Sequence, residues 1–149
     1  MTTVNDFNRS LIEEFRALDG NVKGPFEGAP LLLLTTTGAK TGNEHTTPLV
    51  YMPDGNRLLV FGSKAGAPTH PAWYHNLVAN PKVTVELPGE RFEARAVIVE
   101  GEERDRLFEL QKAVMPGFAD YESKTTRKIP VIALERIGWP ASGPRGGEA

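Results

Sequence analysis

The chain of 149 residues contains no cysteine. That excludes disulfides, thiol nucleophiles, cysteine-ligated iron–sulfur clusters and zinc ribbons, and it fits a reducing compartment. A large excess of charge of either sign is also missing. The formal net charge is −2, which gives no broad attraction to nucleic acid. No apolar run is long enough to span a bilayer; the purest, Leu31–Leu34, is only strand-sized. The N-terminus has no apolar core of the signal-peptide kind, so a cytoplasmic protein is expected. With 40 % hydrophobic and 24 % charged residues, the composition is that of one ordinary globular domain with a full core.

Along the chain, Asn5–Leu18 carries Phe7, Leu11, Phe15 and Leu18 at helical spacing. The pattern predicts an amphipathic helix packed on the domain. A membrane or partner contact is the alternative, against which stand Glu13, Glu14 and Arg16 on the polar face. Asn21–Pro30 reads as a linker, so residues 1–30 form an N-terminal helix and linker. Strands are expected at Leu31–Thr36, Thr46–Met52, Arg57–Phe61, Val83–Leu87, Phe92–Val99 and Ile129–Ile137, with a second long helix at Gly101–Val114. Tight turns, few helices and no strand–helix alternation indicate an antiparallel barrel or sandwich over residues 31–137. Residues 138–149 read as a loose Gly/Pro-rich tail.

Four segments are candidates for chemistry. Gly62–Pro68 is a loop of small residues with one lysine, Lys64, followed by a short helix beginning Pro71-Ala72-Trp73-Tyr74. Small residues let backbone N–H groups approach an anion, and a helix N-terminus and a lysine add favourable charge. Together they suit a phosphorylated aromatic cofactor with Trp73 and Tyr74 as a wall, although the loop matches neither a P-loop nor a dinucleotide fingerprint. Thr37–Gly42 holds Lys40 between two glycines, either a solvated hairpin loop or a second cationic loop facing the same anion. Met115–Tyr121 reads as a loop that either pins Phe118 and Tyr121 in the core or covers a flat substrate. Of the three histidines, His70 stands near a helix start where it can cap or line the site. His45 and His75 read as surface or satisfied residues. His70 and His75 are five apart, so no metal site is expected.

These residues, taken in order, resemble the deazaflavin-dependent nitroreductase family. The resemblance is carried by Gly38–Gly42, Thr47-Pro48-Leu49, the Gly62–Pro68 loop, Pro71–Leu77, Ala79-Asn80-Pro81 and Ile129-Pro130-Val131, and it extends from Leu31 to about Ile137. It implies a split β-barrel, mainly β with flanking helices and FMN-binding-like, that uses coenzyme F420. It implies a basic contact from Lys40 to the cofactor's phosphate and acidic tail, and a phosphate-binding loop of Ser63, Lys64, Gly66 and Ala67. Pro48 and Val50 would line the cofactor, with Phe61 at the strand end before that loop. Pro71, Ala72, Trp73 and Asn76 would border the deazaflavin.

Nitroreductase members carry several tyrosines after the second helix; here stand Met115 and Phe118, with Tyr121 retained. The implied substrate pocket of Met115, Phe118 and Tyr121 is thus more apolar, which favours quinones or other flat conjugated acceptors over bulky nitroimidazoles. Tyr121, Ser63 or water would donate the proton. The expected activity is transfer of a hydride from reduced F420 to such a small-molecule acceptor. The alternatives are an FMN-binding split barrel and a non-enzymatic F420 carrier. Split barrels of this kind are often homodimers.

Overall fold

The computed structural model describes residues 4–18, 30–55, 57–62, 70–125 and 128–137, with the side chains of the first segment from residue 8 onward. The expected linker at 21–30, except Pro30, and the tail at 138–149 therefore lie outside the described residues, as does the loop at 63–69. The elements run α1 (Val4–Ala17), β1 (Leu31–Thr37), β2 (Glu44–Val50), β3 (Met52–Asp54), β4 (Arg57–Phe61), α2 (Ala72–Ala79), β5 (Lys82–Leu87), β6 (Glu90–Val99), α3 (Gly101–Val114), α4 (Gly117–Ser123) and β7 (Val131–Arg136).

The seven strands form one antiparallel sheet in the order β2-β1-β5-β6-β7-β4-β3, curled into a half-barrel. Its edge strands β2 and β3 follow one another in the chain, divided at Tyr51, whose N–H donates to the Pro30 carbonyl at 3.0 Å. The single strand expected at Thr46–Met52 is thereby two.

Side-chain alternation gives the sheet two apolar faces. Leu32, Leu34, Val60, Val85, Ile132 and Leu134 point to one, where Trp73 and Leu77 of α2 join them. The residues between point to the other. There Leu31 and Leu33 meet Leu11 and Phe15 of α1. Farther along that face, Leu59, Phe61, Val131 and Ala133 meet Leu107, Phe108 and Phe118 of α3 and α4. A strand covered on both faces must be apolar throughout, which accounts for the Leu31–Leu34 run. The apolar side of α1 lies against the sheet, as the periodicity predicts. Among the described residues no helix is long and apolar enough to cross a membrane.

Two sequence expectations are corrected. Met115–Tyr121 is not a loop: Gly117–Ser123 is a helix, because Pro116 occupies its N-cap, where a missing N–H costs nothing. Phe118 and Tyr121, three residues apart, share a helical face, their ring centroids 5.2 Å apart. The last strand starts at Val131 rather than Ile129. The Ile129 carbonyl instead accepts two hydrogen bonds from the buried Arg104 guanidinium at 3.0 and 2.6 Å, and Pro130 has no N–H for a ladder.

Candidate cofactor cleft

β1 ends in a turn that glycine makes possible. Gly38 donates its N–H to the Asn43 carbonyl at 2.7 Å and accepts from the Gly42 N–H at 3.0 Å. A Cβ on Gly38 would stand 2.7 Å from Thr41 Oγ1, and Gly42 has φ 75°, a conformation that favours glycine. The turn holds Lys40 in solvent, where it makes no ion pair among the described residues.

The facing wall is α2. Pro71 at its N-cap contributes a carbonyl to the Tyr74 N–H at 3.1 Å. Trp73 is nearly buried, with one side in the core beneath the sheet, while Ala72 and His75 are exposed. Asn76 joins the two walls. Its Oδ1 accepts the Ala39 N–H at 3.0 Å, and its Nδ2 donates to Thr36 Oγ1 at 3.2 Å. Asn8, Arg9 and Ile12 of α1 form the third side. The cleft between them has a volume of about 1160 Å³, and Thr46 and Thr47 of β2 reach into it.

The cleft is predominantly cationic in its ionised groups: Lys40 and Arg9 against Glu44, with the imidazoles of His45 and His75 beside them. It has an aromatic face in Trp73 and hydroxyls on Thr41, Thr46 and Thr47. Among the described residues no cluster of three or more His, Cys, Asp or Glu side chains is placed to hold a metal ion. The arrangement suits an anionic ligand with a flat ring.

The model of the F420H(2)-dependent quinone reductase family matches residues 7–136. The chain belongs to that family. This F420H(2)-dependent quinone reductase family member is 40 % identical over 126 residues to an F420H(2)-dependent quinone reductase of Mycobacterium tuberculosis, covering 82 % of this chain and 85 % of the relative. Among solved structures, one described as an F420-H2 dependent reductase is 39 % identical. It aligns with a TM-score of 0.65 over 71 % of this chain and 94 % of its own. A second, described as a domain-swapped dimer, is 35 % identical with a TM-score of 0.67, over 89 % of this chain and all of its own.

The cleft of this family member gathers part of the set expected from sequence. Lys40, Ala72, Trp73 and Asn76 line it. Pro71 is buried at the start of α2. Ser63, Lys64, Gly66 and Ala67 lie outside the described residues. The described residues that bracket that loop are close, since a Cβ on Gly62 would lie 3.6 Å from Pro71 Cδ. Pro48 and Val50 pair with Leu33 and Leu31, so strand alternation turns them toward the α1 side and away from the core that holds Trp73. Phe61 is buried between Phe108 and Phe118, at centroid distances of 6.1 and 5.6 Å. Met115, Phe118 and Tyr121 belong to that aromatic core and not to the cleft lining.

Sequence reasoning missed Asn8, Arg9 and Ile12, and set His45 and His75 aside as surface or satisfied residues. The two histidines are exposed, but both stand at the cleft. Helical periodicity identified the apolar side of α1; no sequence signal says which polar residues of that helix meet another element.

Proposed function

We propose that this protein is an F420H2-dependent oxidoreductase that reduces a flat, conjugated acceptor of the quinone class, with enones and nitro compounds as further acceptors. One observation carries the reading beyond family membership: Lys40 and Trp73 line a single cleft. Small-molecule sites typically enclose roughly 300–1,000 Å³. A cleft of about 1160 Å³ therefore has room for a tricyclic ring with a phosphate-bearing tail. Cation, hydroxyl and aromatic groups match the chemical parts of such a cofactor, so the residues present fit F420.

In this reading Lys40 and Arg9 hold the anionic portion, helped by hydroxyls of Thr41 and Thr47. Trp73 and Ala72 border the ring. When bound, reduced F420 supplies a hydride, because carbon in place of the flavin N5 disfavours radical chemistry. Reducing a quinone to a hydroquinone takes that hydride and one proton. Two hydroxyls were candidates for the proton. Tyr121 packs against Phe118 in the aromatic core, which favours Ser63 or water, and Ser63→Ala distinguishes these two.

The test is calorimetric or fluorescence titration with F420 and, separately, with FMN. Selective F420 binding, and acceptor-dependent oxidation of reduced F420, are expected. Lys40→Ala should weaken F420 binding by about tenfold or more, the worth of a charge-assisted hydrogen bond, and change the hydride step much less. Selective FMN binding, or binding without turnover, would overturn the reading in favour of a flavin enzyme or a cofactor carrier.

A further inference from the structure

Asn76 uses both ends of its side-chain amide on β1 and the turn after it. A backbone N–H can only donate, so the bond from Ala39 fixes Oδ1 as the end facing the turn, and Nδ2 meets Thr36. Thr36 is 1 % exposed, which makes its hydroxyl a fixed anchor. Asn80, one helical turn on, donates Nδ2 to the Thr37 carbonyl at 3.3 Å. Asn76 lies within α2 and Asn80 is its C-cap, four residues on. Between them they grip residues 36, 37 and 39.

The turn's own hydrogen bonds run Gly38 to Asn43, Gly42 to Gly38 and Asn43 to Thr41. All close within the turn. They shape it but do not locate it against α2. Asn76 does locate it, through Ala39, the neighbour of Lys40. Trp73 lies one turn before Asn76 on the same helix.

We infer that Asn76 is a positioning residue: it fixes the turn that carries Lys40 to the helix that carries Trp73, and so controls affinity for an anionic, ring-bearing ligand through Lys40. The ligand part of this inference rests on the F420 reading above; the clasp itself does not. A turn held in place before binding leaves less ordering to be done on binding, and affinity rises accordingly.

The first measurement is amide hydrogen exchange in the ligand-free protein. Asn76→Leu should speed exchange of the Ala39 amide by up to about tenfold, the worth of one net hydrogen bond, while the Val85 amide in the sheet is unchanged. Asn76→Asp should keep Ala39 protected, because a carboxylate accepts both from Ala39 and from the Thr36 hydroxyl. Thr36→Val, close in shape, removes only the second partner and should give an intermediate rate; it serves equally if Asn76→Leu does not fold.

The second measurement is a double-mutant cycle on F420 affinity with Lys40→Ala. Asn76→Leu should weaken binding by about tenfold, and most of the Lys40→Ala penalty should vanish in its background, since a misplaced lysine has little left to lose. Penalties that multiply independently would mean that Asn76 acts on the ligand by itself, and would overturn the inference. Unchanged Ala39 exchange in Asn76→Leu and Thr36→Val would overturn it too. Failure of the wild type to bind F420 would instead remove the cofactor reading, and Ala39 exchange would then decide the clasp alone.

Discussion

Two helices wall the cleft; both pack on β1, but they are fastened by different physics. α2 sits on the side of β1 that carries Leu32 and Leu34, with Trp73 and Leu77 in the core and Asn76 and Asn80 bonded to the strand end. α1 sits on the side that carries Leu31 and Leu33. There it buries Leu11 and Phe15, and it is tied at its far end by an Arg16–Glu86 ion pair. The alternation of one four-leucine run thus serves both walls. What differs is the polar component. The bonds of α2 end on a buried hydroxyl and backbone groups, whereas the Arg16 tie of α1 comes from a guanidinium whose side chain is 50 % exposed. Partly buried hydrogen bonds to fixed partners hold position; exposed ion pairs add little and are screened by salt. The cleft therefore has one fixed wall and one that releases more readily.

The largest break in this comparison is Trp73→Ala. The side chain is 7 % exposed and belongs to the core of the half-barrel, so truncation should cost about 3–5 kcal/mol of global stability. Denaturant titration would measure it, and F420 binding should fall with it. Phe15→Ala comes next. Phe15 is 3 % exposed, and among the described residues its cluster contains four buried ones. A helix that can detach limits the loss to its own docking energy, so about 3 kcal/mol or less is expected. The distinguishing sign is locality: amides of α1 should lose exchange protection while those of β5 and β6 keep it. A uniform loss across the sheet would show that the two walls are one cooperative unit.

Most of this architecture was legible because burial on both faces, tight turns and a short aromatic helix leave strong local signals. Leu31–Thr36, the Gly38–Gly42 turn and the Gly101–Val114 helix stand where the pattern put them. What was not legible depended on parity and partners. A strand's alternation is visible in sequence, but the side that meets a given helix is not, so Pro48 and Val50 gave no hint that they face α1. Pro116-Gly117 does follow the end of α3, as read, but the same pair also starts α4, a role that Pro signals less visibly than a helix end. Asn76 was recognisable as part of the site, but the use of its amide on Thr36 and Ala39, 40 and 37 residues away, is purely tertiary. Arg9 was hidden for the same reason.

The finest test of the two-wall comparison is the ion pair of α1. Arg16 donates Nε to Glu86 Oε1 at 3.0 Å and a terminal nitrogen to Oε2 at 2.7 Å. This hydrogen bonding holds the Glu86 carboxyl below the usual carboxylate range. Burial opposes it, and the charges of Arg16 and Arg91 reinforce it. A carboxyl depressed on folding contributes its stability in full above its unfolded pKa of about 4.3, and loses it as pH falls through the lower folded value. Docking of α1 should thus be steady from neutral pH down to about 5 and weaken below about 4. Because Arg16 is half exposed, Arg16→Met should cost less than about 1 kcal/mol at neutral pH. That difference from wild type should shrink toward nothing in acid. Denaturant titrations of both proteins at neutral and acidic pH measure it. A difference that persisted in acid would mean that Arg16 holds α1 without the charge of the Glu86 carboxylate, and the contrast between a wall held by hydrogen bonds and one held by an ion pair would lapse.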